Sequence, residues 1–140
     1  MAGDVALLES VSRLSLFHDL GQAELDTILS TLSEVAFGEG EWVLRRGQTD
    51  VGLYVIVDGE VGVLLNDEEL AVLSKGSFFG EISALLDEPT VADVLARTPL
   101  RCLFVPADQV EGFLEAKPRI MYRMLQTEAR RLQVTDELRI

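Results

Sequence analysis

The sequence predicts an α+β fold that is mainly β: a small jelly-roll β barrel (a double-stranded β-helix) flanked by N-terminal helices and a long C-terminal helix. Two observations predict it. Apolar residues recur at helical spacing near both ends of the chain, whereas the middle consists of short apolar runs separated by close turns. At 140 residues the chain is most simply one domain. We expect N-terminal helices over 1–33, the β roll over 34–105 and C-terminal helices over 106–140.

The first third of the chain has the periodicity of two short helices. Gly21 is a permissible N-cap for the second helix, "GQAELDTILSTL", and Glu24 is placed to reach back as in a capping box. The intervening "LFHDL" is typical of a turn and carries His18. The apolar stripe of the first helix is formed by Leu7, Leu8, Val11 and Leu14.

The middle of the chain has the pattern of strand, turn and strand. The dipeptides "DG" at 58–59 and "ND" at 66–67 are typical of hairpin turns, the first strongly so. Two later apolar runs, Val91–Leu95 and Leu100–Val105, predict further strands. Several short strands joined by close turns are typical of a small antiparallel barrel or jelly roll.

The last third predicts two helices. Pro106 is suited to the first turn of "PADQVEGFLEA", and Lys117-Pro118 separates this helix from a long one that starts at Arg119. We expect one face of the long helix to cover the β roll with its first part and to continue beyond it. Residues Met121, Leu125 and Leu132 line that face, with Ile120 and Met124 as the other apolar residues of the stripe.

The charge balance argues against several classes of partner. With 12 basic and 24 acidic residues, the chain has a formal net charge of −12. Nucleic acids and anionic membranes are bound mainly through Lys and Arg, so neither is an expected partner. The longest nearly uninterrupted apolar run, Val51–Val57, is far shorter than the roughly 20 residues that span a bilayer. The first ten residues lack the basic start of a secretory signal.

The cysteine and histidine content favours a non-enzymatic protein of the cytoplasm. Cys102 is the only cysteine, so no intrachain disulfide is available, and a reducing cytoplasm is the expected compartment. Its place in the apolar run "RCLFV" predicts a buried, inert thiol. The single histidine, His18, cannot supply the two or three ligands of a cupin-type metal enzyme. We therefore expect no catalytic residues, no metal site and no cofactor.

Three stretches point to a known family: "YVIVDGEVGVL", "GSFFGEISAL" and "DEPTVADV". With this order of elements, the chain resembles the cyclic nucleotide-binding domain of catabolite activator-type regulators, cyclic-nucleotide-dependent kinases and gated channels. The first stretch is similar to the family's strand–glycine–strand hairpin, with Gly59 at the turn. The second matches its "G-x-x-F-G-E-[LI]-[AS]-L" motif. The third keeps Pro89, Ala92 and Val94 of its "P-R-[AST]-A-x-V" motif. We call residues 76–94 the cassette.

The resemblance implies a ligand site with one part missing. In the family, amides at the start of a short helix and an arginine hold the cyclic phosphate, and a glutamate takes the ribose 2′-hydroxyl. Gly80 and Glu81 match, and the amides would come from Ile82 and Ser83. The arginine position after Pro89 is Thr90, and the next residue, which in some members favours guanine, is Val91. The inferred site keeps the ribose contact but lacks the guanidinium.

The missing arginine implies weak cyclic nucleotide binding. Two charge-assisted hydrogen bonds of roughly 1.5–3 kcal/mol each correspond to about two to four orders of magnitude in affinity. Arg97 and Arg101 are the nearest basic residues in sequence, and we expect them to be solvated and not to replace the missing group. Asp87 and Glu88, in the loop between the two motif-matching parts of the cassette, either repel a phosphate or form a solvated acidic turn.

Two functions remain open from the sequence. One is a regulatory module with a degenerate cassette, little or no affinity for cyclic AMP or cyclic GMP, and a protein partner. The other is a true cyclic nucleotide sensor in which the C-terminal helix closes over the base, with candidate contacts at Gln126, Thr127, Arg130 and Arg131. In either case related domains pair through this helix, so we expect a homodimer. Glu81 has a further interpretation, as a structural acceptor for amides of its own loop.

Overall fold

A computed structural model of the chain describes residues 14–135, with side chains for residues 14–133. Its strands are β1 (Ser33–Phe37), β2 (Trp42–Leu44), β3 (Leu53–Asp58), β4 (Val61–Leu65), β5 (Glu68–Leu73), β6 (Phe78–Phe79), β7 (Asp93–Ala96) and β8 (Leu100–Val105). Its helices are α1 (Gln22–Thr31), α2 (Glu81–Leu86), α3 (Val110–Ala116) and α4 (Pro118–Thr135), with a 3-10 turn over Ala107–Gln109.

The strands form two four-stranded sheets in which every pairing is antiparallel. One sheet has the strand order β1-β8-β3-β6 and the other has the order β2-β7-β4-β5. This jelly-roll arrangement with flanking helices confirms the predicted fold class. Within residues 14–135, the hydrogen bonding makes two separate sheets and not one closed barrel.

Strand β3 lies at the centre of the packing because it is buried on both faces. Leu53, Val55 and Val57 pack in a cluster with the helices, whereas Ile56 packs between the two sheets. A strand covered on both sides carries a nearly continuous apolar run, which explains the uninterrupted "LYVIV". The helices contribute to the first cluster mainly through Phe17, Ile28, Val110, Leu114, Ile120 and Met124.

The two predicted hairpin turns differ in outcome. The turn at 66–67 joins the paired strands β4 and β5, and both of its residues have positive φ (52° and 66°), as a tight hairpin requires. The turn at Gly59 joins β3 and β4, which lie in different sheets, so the predicted hairpin there is wrong. Gly59 has φ +98°, and a Cβ would lie 2.3 Å from the carbonyl oxygen of Pro99. Gly59 therefore allows the chain to turn sharply from one sheet into the other.

The N-terminal part is only partly helical where it is described. The chain from Leu14 forms turns up to α1, and His18 is exposed in them, as predicted. Helix α1 begins after Gly21, but no side-chain hydrogen bond caps it, so the predicted capping box with Glu24 is wrong. Gly21 has no side chain to take part in such a box. The predicted helix containing Leu7, Leu8 and Val11 lies outside the described residues.

The C-terminal helices match the predicted break, but the long helix presents a different face to the β roll. Helix α4 starts at Pro118, and Ile120 and Met124 are buried in the core. The expectation that Met121, Leu125 and Leu132 begin the covering face is wrong, because these side chains are 41%, 63% and 54% exposed. Their spacing matches an apolar face, but Leu125 and Leu132 lie on the outer side of the helix, and Met121 lies beside α2 and α3 at the start of the helix.

Two remaining expectations concern β7 and Cys102. Strand β7 starts at Asp93, two residues later than predicted, because hydrogen bonds from Thr90 hold the preceding segment against the β2–β3 loop.

Cys102 is fully buried in β8, and burial raises the pKa of its thiol to about 12. A thiol with that pKa is unreactive at neutral pH, which agrees with the predicted inert role.

Candidate functional site

A cavity of about 560 Å³ lies between sheet β2-β7-β4-β5, the cassette and helix α4, and we call it the ligand cavity. Its walls are mainly apolar. Helix α4 contributes Thr127, Arg130 and Arg131, whereas Gln126 does not line the cavity. The cassette residues predicted from the sequence all line it: Gly80, Glu81, Ile82, Ser83, Pro89, Thr90 and Val91.

The turn from β6 into α2 depends on Gly80. Its φ is +85°, and a Cβ at this position would lie 2.3 Å from the carbonyl oxygen of Gly52. The chain can therefore approach β3 closely and turn at once into α2. This places the carboxylate of Glu81 inside the molecule, where only 3% of the residue is exposed.

The buried carboxylate of Glu81 is paired with Arg131 of α4. Nη1 of Arg131 donates to Oε2 of Glu81 at 3.0 Å and to Oε1 of Glu128, one turn earlier in the same helix, also at 3.0 Å. Nη2 donates to the carbonyl oxygen of Phe78 at 2.9 Å, and the guanidinium lies 4.5 Å from the centre of the Phe78 ring. One arginine thus joins the far end of α4 to β6 and to the start of α2.

The protonation of Glu81 follows from this setting. Burial raises the pKa of Glu81 to about 8, and the nearby carboxylate of Glu128 adds to the rise while Arg131 opposes it. Two carboxylates therefore share one guanidinium. Removing a charge from water is costly unless it is fully paired, so a proton held on Glu81 near neutral pH relieves the excess negative charge.

Thr90, the residue at the arginine position, lines the ligand cavity, but its hydroxyl forms hydrogen bonds with the β2–β3 loop. Its hydroxyl donates to the carbonyl oxygen of Arg45 at 2.8 Å and accepts from the amide of Gln48 at 3.0 Å. Backbone bonds from Thr90 to Gln48 and from Gly47 to Thr90 complete the attachment. The hydroxyl is thus already used as donor and acceptor within the chain.

The other predicted cassette residues have structural contacts or face solvent. The hydroxyl of Ser83 donates to the carbonyl oxygen of Glu88, which closes the turn after α2. Ile82 and Val91 are 50% and 69% exposed. Asp87 and Glu88 are exposed, which agrees with a solvated acidic turn.

The basic residues divide into those that reach the ligand cavity and those that do not. Arg97 pairs with Glu69 and Arg101 pairs with Glu34, so neither replaces the missing guanidinium, as expected. Arg131 reaches the cavity but is committed to Glu81. Arg130 also lines the cavity, and it forms no ion pair with any residue in the described part of the chain.

Sequence reasoning named Arg131 as a candidate but missed its partner. It assigned Glu81 either to a ligand or to amides of its own loop, and the structure gives it a cation 50 residues away. The only local signal was the three-residue spacing of Glu128 and Arg131, which places both on one helix face. Within residues 14–135, no group of three or more potential ligands is arranged to hold a metal ion. No helix in that part is long and apolar enough to cross a membrane.

Comparisons with known proteins agree with this architecture. The model of the cyclic nucleotide-binding domain matches residues 34–117. Over 119 residues, the chain is 32% identical to a cGMP-dependent protein kinase of Plasmodium berghei (strain Anka). The aligned segment covers 85% of this chain but only 14% of the kinase.

Two solved structures have the same fold. The Thermus thermophilus catabolite activator protein is 27% identical, with a TM-score of 0.74 over 86% of this chain and 59% of that protein. The regulatory subunit of a cAMP-independent protein kinase A from Trypanosoma brucei is 22% identical, with a TM-score of 0.75 over 89% of this chain and 45% of the subunit. The chain belongs to the cyclic nucleotide-binding domain family, whose members include regulatory modules of kinases and transcription regulators.

The raised pKa of Glu81 predicts a pH dependence of stability. Between the ordinary pKa of 4.5 and the folded value of about 8, the folded chain holds a proton that the unfolded chain has released. The free energy of unfolding should therefore fall as pH rises through this window. Urea unfolding at about pH 5 and about pH 8.5 should show a smaller fall for Glu81→Gln than for the parent. A control variant, Glu39→Gln at an exposed site, should behave like the parent. Parallel curves for all three proteins would show that Glu81 is not the titrating group.

Proposed function

We propose that this chain is a regulatory module with a degenerate phosphate site, which binds cyclic AMP and cyclic GMP weakly or not at all and acts through a protein partner. The observation that carries the proposal is the hydrogen bond that Arg131 donates to the buried carboxyl group of Glu81. In the family, this glutamate is the ligand's ribose contact. Here one oxygen of its carboxyl group already accepts a hydrogen bond from Arg131 of the same chain. A ribose hydroxyl would have to compete with Arg131 for this group.

The state of Thr90 supports the same conclusion. No guanidinium follows Pro89, and the Thr90 hydroxyl is already bonded to Arg45 and Gln48. Arg45 itself pairs with Asp93 at 3.2 Å and stacks on Trp42, so this cation of the loop is already paired. A cyclic phosphate placed against α2 would therefore meet amides without a guanidinium from the cassette, and such a contact is weak in water.

A second function is favoured by one observation. Arg130 lines the ligand cavity without an ion pair to a described residue, so it is a cation that a phosphate or a base carbonyl could engage. In that case the chain would be a true cyclic nucleotide sensor that uses Glu81 and the amides of Ile82 and Ser83. The net charge of −12 disfavours binding of nucleic acids and of other anionic ligands. It favours a basic protein as the partner, and we propose the cytoplasm as the compartment where they meet.

Calorimetric titration distinguishes these two functions. We expect dissociation constants for cyclic AMP and cyclic GMP no tighter than about 100 μM. Thr90→Arg should tighten binding by at least about tenfold if the cassette geometry is intact, since it restores charge-assisted bonds. Thr90→Val is the matched control, because it also breaks the hydroxyl's bonds with Arg45 and Gln48 but adds no cation.

The outcome for the parent protein decides between the proposals. A low-micromolar constant for either nucleotide would contradict the degenerate module. If that affinity were then lost in Arg130→Gln, the true sensor would be supported. Equal weak binding by the Thr90→Arg and Thr90→Val variants would mean that the cavity is closed to nucleotides for another reason.

We also propose that the chain is a homodimer that pairs through the outer face of α4. This face consists of Tyr122, Leu125, Ala129 and Leu132, all exposed, at the 3-4-3 spacing of a coiled-coil seam. The opposite face, with Ile120 and Met124, already packs on the core. A helix with a second apolar face buries it most simply against a copy of itself.

Light scattering at micromolar concentration tests the dimer. The parent should run at twice the 15.4 kDa mass of one chain, and Leu125→Glu with Leu132→Glu should run as a monomer. The control, Gln126→Glu with Gln133→Glu, adds the same charge to exposed polar positions of the same helix and should remain a dimer. A monomeric parent, or a dimer that survives the leucine substitutions, would exclude this interface.

A further inference from the structure

A second concave surface, which we call the groove, lies on the other side of α2 from the ligand cavity. It has a volume of about 530 Å³ and is bordered by the loop before β3, by α2, by the 3-10 turn with α3, and by the start of α4. Buried Val51, Val110 and Leu114 lie at its base. Leu85 and Met121 project beside them and are 53% and 41% exposed.

The rim of the groove is acidic from both sides. Among residues 14–135, no Lys or Arg lines it, and none of its carboxylates forms an ion pair. The carboxylates belong to four segments and, in the described part of the chain, make no group that could hold a metal ion. These carboxylates are therefore better placed to pair with several separate basic side chains than to bind one metal ion. The five are Asp50, Asp87, Asp108, Glu111 and Glu115.

We propose that the groove docks a basic amphipathic helix of a partner protein. The apolar base and the exposed Leu85 and Met121 match a row of apolar side chains, and the acidic rim matches Lys or Arg on both flanks of that row. Methionine adapts well to such contacts because its side chain is flexible and polarisable. Long basic side chains can cover apolar surface while their charged ends reach the rim.

The groove's construction favours a helix over an extended peptide. None of the strands in the described part of the chain lines it, so these strands offer no sheet edge there to which an added strand could bond. An extended segment would lie there with its backbone N–H and C=O groups unpaired, whereas a helix satisfies these groups internally. The charge pattern and the backbone requirement thus point to the same kind of partner.

The position of the groove connects it to the ligand cavity. Ser83 borders both, so α2 lies between the two surfaces. A helix bound in the groove would contact α2, which begins at Glu81, and the start of α4, the helix whose far end carries Arg131. The surface is thereby placed to transmit a change in the ligand cavity to a partner, but docking itself needs no ligand.

The test uses the full chain and two synthetic 18-residue peptides (roughly five helical turns) with one apolar face, one flanked by Lys and the other by Glu. Fluorescence anisotropy should show binding of the Leu/Lys peptide only. Glu111→Lys with Glu115→Lys should weaken it by at least about tenfold. The control, Glu39→Lys with Glu68→Lys, changes net charge equally at exposed sites outside the groove and should weaken it by less than about threefold. Leu85→Ser should weaken binding without changing charge.

Three results would overturn the proposal. These are no binding of the Leu/Lys peptide at micromolar concentration, equal weakening by the groove and control pairs, or equal binding of both peptides. Equal weakening would mean attraction to the acidic chain as a whole. Thermal melting and light scattering on each variant check that fold and oligomeric state are unchanged.

Discussion

The contact between Arg131 and Glu81 is the interaction on which the rest of the site depends. It brings the end of α4 to the start of α2, and the same guanidinium binds the Phe78 carbonyl and lies over its ring. A polar group as buried as the Glu81 carboxyl would be costly without a hydrogen-bond partner. The contact with Arg131 therefore stabilises the cassette and positions α4 at once. In this arrangement the long helix rests against the ligand cavity through contacts within the chain.

This constraint explains why the fold can be retained while the phosphate contact is absent. Gly80 and the turn into α2 are required by the close approach to Gly52, whatever the cavity binds. Thr90 is held by four hydrogen bonds to the β2–β3 loop, which fix the cassette's second half without an arginine. Gly80, Glu81, Ser83 and Thr90 thus each have a structural role. Family membership and ligand affinity are for this reason separate questions.

Local chemistry was predictable from the sequence, whereas partners across the chain were not. The motif around Gly80 and Glu81 fixes a turn, and the positions of most strands follow from alternation and turn residues. The pairing of β3 with β8 and not with β4 depends on contacts between residues far apart in the sequence. The local pattern at Gly59 therefore predicts a hairpin where the structure has a turn between the two sheets. In α4, both the inner and outer faces have helical apolar spacing. Periodicity alone could not say which one meets the β roll.

Amide hydrogen exchange in α4 tests the central claim most directly, because it reports whether the helix end is held in the absence of ligand. The parent should protect amides of the last two turns of α4, and Arg131→Gln should lose that protection there and in α2 while β3 and β8 remain protected. Arg130→Gln, the neighbouring exposed arginine without an ion pair to a described residue, should match the parent. Equal exchange in the parent and in Arg131→Gln would contradict the account, since it would mean that α4 is positioned without the Arg131–Glu81 contact.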